Sequence, residues 1–263
     1  MPDGSDTILE FSSAVERNGR IYLLARPYAF HAFAGINEYF DRLGRRLQTG
    51  YDRDGNSHVG LLPFVLLMQR QALNAFEMLA TFRSYEAWVL LRPCLESALI
   101  IGKWVDDPGN AVLWDDKRNR FEEFKKAYQG KGLQSRSLPQ SAKIQAVLSR
   151  VNDEFMHPNP SYYRRHTRFE GMGEQDLFLK VEFFDDNDDS EAHSLAFLHV
   201  LVVIVDAVDE LFAKLFVGQA GPAPQVTTVE RELRSRADSI AAKHELYRRV
   251  LTELGLWDAL PAA

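Results

Sequence analysis

Between Ala87 and Gly102 the chain reads AWVLLRPCLESALIIG, sixteen residues of which only Arg92, Glu96 and Ser97 are clearly polar. An apolar run of this length exceeds a strand and reads as a buried helix. A helix that is apolar on nearly every side has to be surrounded by other helices. Arg92 and Glu96 are four residues apart and so share one helix face. Taking either charge out of water is costly unless it is paired. The pair therefore has a reason, architectural or functional. Trp88 precedes Arg92 by one turn, which places its ring within reach of the guanidinium.

The rest of the chain supplies the surrounding helices. Residues 1 to 20 read as a loosely attached lead-in, and Tyr22 to Leu47 carries helical spacing interrupted at Pro27. Gln48 to Ser57 is polar and turn-rich. Gly60 to Phe82 is apolar at helical spacing, with Pro63 in its first turn, where proline is tolerated. Ser84 is placed to cap a second long helix, Tyr85 to about Val105, with a kink expected at Pro93. Two long helices joined by so short a turn should pack antiparallel. Asp107 and Pro108 open a further helix that reaches about Tyr128, and Pro139 to Met156 forms another.

At His157 the chain changes character. HPNPSYY is rigid and aromatic. Thr167–Met172 and Leu177–Phe184 alternate around Gly173 as a β-hairpin does. The acidic stretch at 185–191 is placed to cap the next helix, about Glu191 to Val217, which is almost wholly apolar from His199 to Val205. The fold expected is mainly α, a multi-helix bundle with long central antiparallel helices and one inserted β-hairpin at about 167–184. Residues 1–217 form this domain, and 218–225 (GQAGPAPQ) is a linker. Residues 226–263 carry a C-terminal amphipathic helix with Val229, Leu233, Ile240, Tyr247, Leu251 and Leu254 along one side. That helix packs on the bundle or on a partner, and a homodimer through it is one form this takes.

Charge and cysteine content narrow the function classes. A net charge of −6 disfavours a protein that coats nucleic acid by bulk electrostatics. The single cysteine, Cys94, excludes an intrachain disulfide and cysteine-rich zinc motifs. The start MPDGSDTILEF has no signal-peptide pattern, and Leu195 to Val205 is too short to span a bilayer, so the expected compartment is the cytoplasm, with no membrane contact. No phosphate loop, dinucleotide fingerprint or HExxH zinc motif occurs, so no cofactor and no metal are expected. Asp185, Asn187 and Asp189 copy the opening of a calcium loop, but Ser190 and Ala196 stand where its glycine and bidentate acid belong.

Candidate chemistry falls on nine residues. Arg92, Glu96, Arg150 and His157 carry the charges and the imidazole that acid–base work would need. Trp88, Asn159, Tyr163, His199 and Asp206 are the candidate ligand-binding groups. His199 and Asp206 lie seven apart, on roughly one face of their helix. Two arrangements stay open. In one, His199 and Asp206 converge with Arg92 and Glu96 on a common site with shifted pKa values. In the other, Asp206 simply pairs with Arg92 and His199 bonds backbone. An arginine followed by four to six residues and a histidine occurs at Arg26–His31, Arg53–His58 and Arg150–His157. Chance alone gives roughly two such spacings. Only the third stands out, at the mouth of the proline-rigid loop. Arg164, Arg165, His166 and Arg168 follow two tyrosines, a mix that grips phosphates and stacks bases, or else protects a hairpin edge.

RSYEAWVLLRPCLESALIIGKWVDDP, followed some fifty residues later by VNDEFMHPNP, a hairpin and an apolar helix, resembles a bacterial family of helical-bundle proteins of unknown function, loosely HEPN-like. The matching positions are Arg92, Glu96, His157 and Pro158, over about Phe64 to Val217. The resemblance implies an all-helical fold and a role in defence or stress. It leaves two readings of function. One is a non-enzymatic binding or regulatory module with a protein or small-molecule partner. The other is a metal-independent ribonuclease acting on RNA.

Overall fold

The computed structural model describes residues 4–52, 54–156, 167–171, 177–181, 184–185 and 187–216. Eight α-helices run through them: α1 Gly4–Ala25, α2 Pro27–Thr49, α3 Leu62–Ala80, α4 Ser84–Asp106, α5 Gly109–Asp115, α6 Phe121–Tyr128, α7 Ser141–Phe155 and α8 Asn187–Leu215. Strands β1 Thr167–Gly171 and β2 Leu177–Val181 pair antiparallel, with Phe169 opposite Leu179. The turn expected around Gly173, the linker and the C-terminal amphipathic helix lie outside the described residues, as does the segment 157–166.

The apolar stretch that opens the sequence is buried because of its composition. From Cys94 to Gly102 only Glu96 reaches solvent. α4 packs most extensively on α3, to which Thr81–Arg83 join it, and it also meets α7 and α8. α8 is buried from Leu195 to Leu201 without a break apart from the slight exposure of His199. Trp88, Leu91 and Leu95 of α4, Met68 and Leu79 of α3, Phe197 and Phe212 of α8, and Ile36 and Phe40 of α2 form the sealed centre. Each such side chain contributes about 1.5–3 kcal/mol by leaving water.

Three expectations are corrected. The stretch expected as a lead-in is helical from Gly4, as part of α1, whose last turn Tyr22 anchors in the core. The helix expected from Asp107 to Tyr128 is two, since the polar stretch Asp116–Arg120 has no apolar side chain to bury and closes a turn on the Asp116 carbonyl. Ser84 does not cap α4 with its own hydroxyl. Its backbone N–H donates instead to the Asp185 carboxylate, 2.7 Å away, and Asp185 N–H in turn donates to the Phe82 carbonyl. One acid of the stretch expected to cap α8 thus caps α4. This contact also braces Phe82, buried at φ 61°, a left-handed geometry that bulky residues rarely adopt.

The far end of α4 is tied by Asp106, whose carboxylate accepts the Arg136 and Ser137 N–H groups at 2.8 and 2.7 Å. Burial works against the charge on Asp106. The Ser137 side chain and those two N–H groups outweigh it and hold the carboxyl below its ordinary range. Gly102 lets the 135–138 segment lie directly on α4: a Cβ there would sit 2.6 Å from both the Leu138 Cβ and the Ser135 Oγ.

Candidate functional site

The residues singled out in the sequence separate into distinct places. Trp88 is sealed, and its indole N–H donates to His193 Nδ1 at 3.1 Å. Its ring lies nearly parallel to Phe155 at 5.9 Å between centroids and meets Phe197 edge-on at 6.1 Å. Tyr85 also meets Phe155, tilted, at 5.8 Å between centroids. The indole is therefore held by α7 and α8, and the stacking on Arg92 expected from their spacing is replaced by this packing. Because an indole N–H only donates, His193 Nδ1 must accept, which places the proton of the neutral imidazole on Nε2.

Arg92 and Glu96 do pair, Nη2 to Oε1 at 2.8 Å, but not in a sealed interior: their side chains are 36% and 33% exposed. The Arg92 Nε is buried and makes no hydrogen bond. On α7, Arg150 engages Glu154 at 3.3 Å with comparable exposure. Both pairs are i, i+4 bridges along single helices. α7 ends at Phe155 against Trp88, so the chain leaves it two residues before His157. His157, Asn159 and Tyr163 lie outside the described residues, as does Arg164–His166.

Asp206 is drawn to α2. It and Asp209 face Tyr39, a buried residue. Burial first, then the charges of Asp209 and Asp206, push the Tyr39 hydroxyl well above its usual range. Burial likewise raises the Asp209 carboxyl, against the pull of the Tyr39 hydroxyl, Arg46 and Arg42. The Arg46 guanidinium lies over the Phe216 ring at 4.6 Å, and desolvation lowers its pKa. Asp206 follows His193 by thirteen residues of one helix, so the Tyr39 cluster and the Trp88–His193 contact are about 20 Å apart along α8. His199 is buried between them.

One charged residue escaped sequence reasoning. Arg26 is only 7% exposed, deeper than Arg92. Its guanidinium lies 5.0 Å from the Tyr22 ring centroid and 5.5 Å from that of Phe82, and Nη2 donates to Ser190 Oγ at 2.8 Å. The Tyr22 hydroxyl donates to Ser194 Oγ at 3.0 Å, and that hydroxyl donates to the Ser190 carbonyl at 2.6 Å. Burial pushes the Tyr22 hydroxyl up to about 12. The cluster fastens the α1–α2 corner and the α3–α4 turn to the first turns of α8. Its only trace in the sequence is an arginine directly before a proline.

Comparison with models of protein families, with curated proteins and with solved structures gives no match. Among the described residues no group of three or more His, Cys, Asp or Glu is placed to hold a metal ion, and no helix is long and apolar enough to cross a membrane.

Proposed function

We propose that this chain is a non-enzymatic binding or regulatory module. It is a bundle whose α3 and α4 form a long antiparallel hairpin, with the β1–β2 ladder inserted as a β-hairpin between α7 and α8. The three-residue link and the extensive α3–α4 packing support that architecture. One observation carries the functional reading. Among the described residues, the charged groups that could do chemistry are engaged with neighbours: Arg92 with Glu96, Arg150 with Glu154, and Asp206 and Asp209 against Tyr39. Catalysis needs such groups aimed at one point in space. The partner is a protein or a small molecule, in keeping with the role in defence or stress that the family resemblance implies.

A second reading has one observation in its favour. Phe155 stacks on Trp88, so His157 follows by two residues a contact that already holds an indole and the His193 imidazole. In a ribonuclease, His157 would act as acid or base while Arg150 or Arg92 stabilises phosphate charge. The test incubates the full chain and its His157→Ala variant with RNA in EDTA. The binding reading expects both to leave the RNA intact. Cleavage by the parent that the variant lacks would overturn it in favour of the ribonuclease.

A further inference from the structure

At the end of the bundle where α5 and α6 pack, the charge of the chain reverses. Between Lys117 and Lys143 eight lysines and arginines stand against two glutamates, in a protein whose net charge is −6. Six of the nine lysines fall between 103 and 143, under a sixth of the sequence. Arginine outnumbers lysine more than twofold in the chain as a whole, so composition does not account for this concentration. Lys117, Arg118, Lys125, Lys126, Lys131 and Arg136 all face solvent, and among the described residues none of them is in an ion pair. Most acids nearby are engaged elsewhere: Glu123 with Arg120, Asp106 with the Arg136 and Ser137 N–H groups, Asp107 with the Gly109 N–H, and Asp116 with the Asn119 side chain. Asp115 and Glu122 stay exposed.

An aromatic base supports these charges. Trp114 meets Phe124 at 5.4 Å and Tyr128 at 5.0 Å between centroids. The Tyr128 hydroxyl accepts the Trp104 indole N–H at 3.0 Å and donates to the Asn110 carbonyl at 2.6 Å. The Lys117 ammonium lies 5.3 Å from the Trp114 ring centroid. Beside this base two apolar side chains are left in solvent, Val112 at 62% and Phe121 at 56% exposure. The Val112 carbonyl accepts the Asp116 N–H and the Asp116 carbonyl accepts the Arg120 N–H, so the two apolar residues frame the basic turn within a short span.

We propose that this end of the bundle is the docking surface for an acidic segment of a partner protein, one that carries apolar side chains between its carboxylates. The proposal rests on the binding-module reading and names the chemistry of its partner. Exposed apolar residues beside charge are the anatomy of a protein interface: the apolar anchors lose their water, and the charged rim sets encounter rate and orientation. Lysine suits such a rim, because a flexible point charge meets carboxylates without a fixed geometry. A nucleic acid strand has no base to stack on Val112, and past these residues it would meet the net acidic remainder of the chain.

The test is fluorescence anisotropy of a labelled glutamate-rich peptide that also carries leucines, titrated with the full chain. The peptide should bind at about 50 mM salt and weaken about tenfold or more at about 200 mM. The triple variant Lys117→Gln/Lys125→Gln/Lys126→Gln should lose about tenfold or more in affinity. Arg17→Gln/Arg20→Gln/Arg45→Gln, which removes the same charge from exposed positions on α1 and α2, should bind as the parent does. Phe121→Ser should weaken binding about threefold or more and leave its salt dependence unchanged, which separates the apolar anchor from the charge. Circular dichroism of each variant should match the parent. Equal losses in the two triple variants would reduce the effect to net charge and overturn the proposal. So would the absence of binding at low salt, or an oligothymidine strand of equal charge that binds more tightly than the peptide. None of these outcomes bears on RNA cleavage, so failure here and failure of the binding-module reading are told apart.

Discussion

Two glycines in helix interiors should respond to the same substitution with opposite signs. Replacing glycine with alanine in a helix is worth about 1 kcal/mol of stability from backbone entropy alone, if the methyl fits. At Gly19 it fits: the new Cβ would meet only Thr81 Cγ2, at 3.8 Å, an ordinary contact. At Gly102 it does not. The Cβ would lie 2.6 Å from the Leu138 Cβ and the Ser135 Oγ and 2.8 Å from the Ser135 Cβ. Two of these atoms are fixed to backbone, and the 135–138 segment is held by Asp106 and by Ser135 Oγ, which accepts the Leu138 N–H at 3.0 Å. Overpacking of this kind costs roughly 1–3 kcal/mol. Three contacts below 3 Å argue for the upper end, so after the propensity gain the net loss is about 2 kcal/mol. For a domain of this size that lowers Tm by about 4–8 °C, whereas Gly19→Ala should raise it by about 2–4 °C. Thermal unfolding followed by circular dichroism reads both. A Gly102→Ala protein as stable as the parent would show that the 135–138 segment does not lie on α4, and the description of that end of the bundle would be wrong.

Other tests bear on the charged groups and the thiol. Glu96→Gln should cost less than about 1 kcal/mol in urea unfolding, the range of a partly exposed i, i+4 bridge; a loss of about 3 kcal/mol or more would mark a sealed pair instead. Asp209 has a raised pKa in the fold, so its folded form favours the neutral carboxyl. Its contribution to stability is full below the unfolded pKa and is lost as pH rises through the folded one. Asp209→Asn should therefore gain on the parent between acid and neutral pH, and a difference that does not vary over that window would contradict the burial of this carboxyl. Burial pushes the Cys94 thiol up to about 12. A thiol reagent at neutral pH should leave the native protein unlabelled and react once per chain in denaturant; fast native labelling would refute the packing of α4.

What the sequence disclosed depended on how local the cause was. The long helices α3, α4 and α8 are legible because composition alone forces their burial, and the Arg92–Glu96 pairing follows from a spacing of four. The depth of that pair is not legible, since it depends on which side of α4 is left at the bundle's edge. Asp185 looks like a cap for the helix it precedes and instead serves one that begins 101 residues earlier. His193 gives no signal, because the partner that fixes its tautomer, Trp88, lies 105 positions away. Arg26 is hidden for a similar reason: a buried arginine is recognisable only from the rings and hydroxyls that surround it, and Phe82 and Ser190 come from distant stretches of chain. That Asp206 faces Tyr39 likewise reflects helix placement, which a periodic pattern does not encode.

The corner that Arg26 and Tyr22 close also sets a clock on synthesis. Their hydroxyl partners, Ser190 and Ser194, lie 164 and 172 residues further along the chain. A ribosome adding about 5–20 residues per second needs roughly ten to thirty seconds to produce them. Through that interval the first two helices are in the cell with their guanidinium and phenol still hydrated and their aromatic faces uncovered. The nascent chain is thus most open to chaperones, and to wrong partners, before α8 emerges, and the last of the described helices to be made is the one that locks the first.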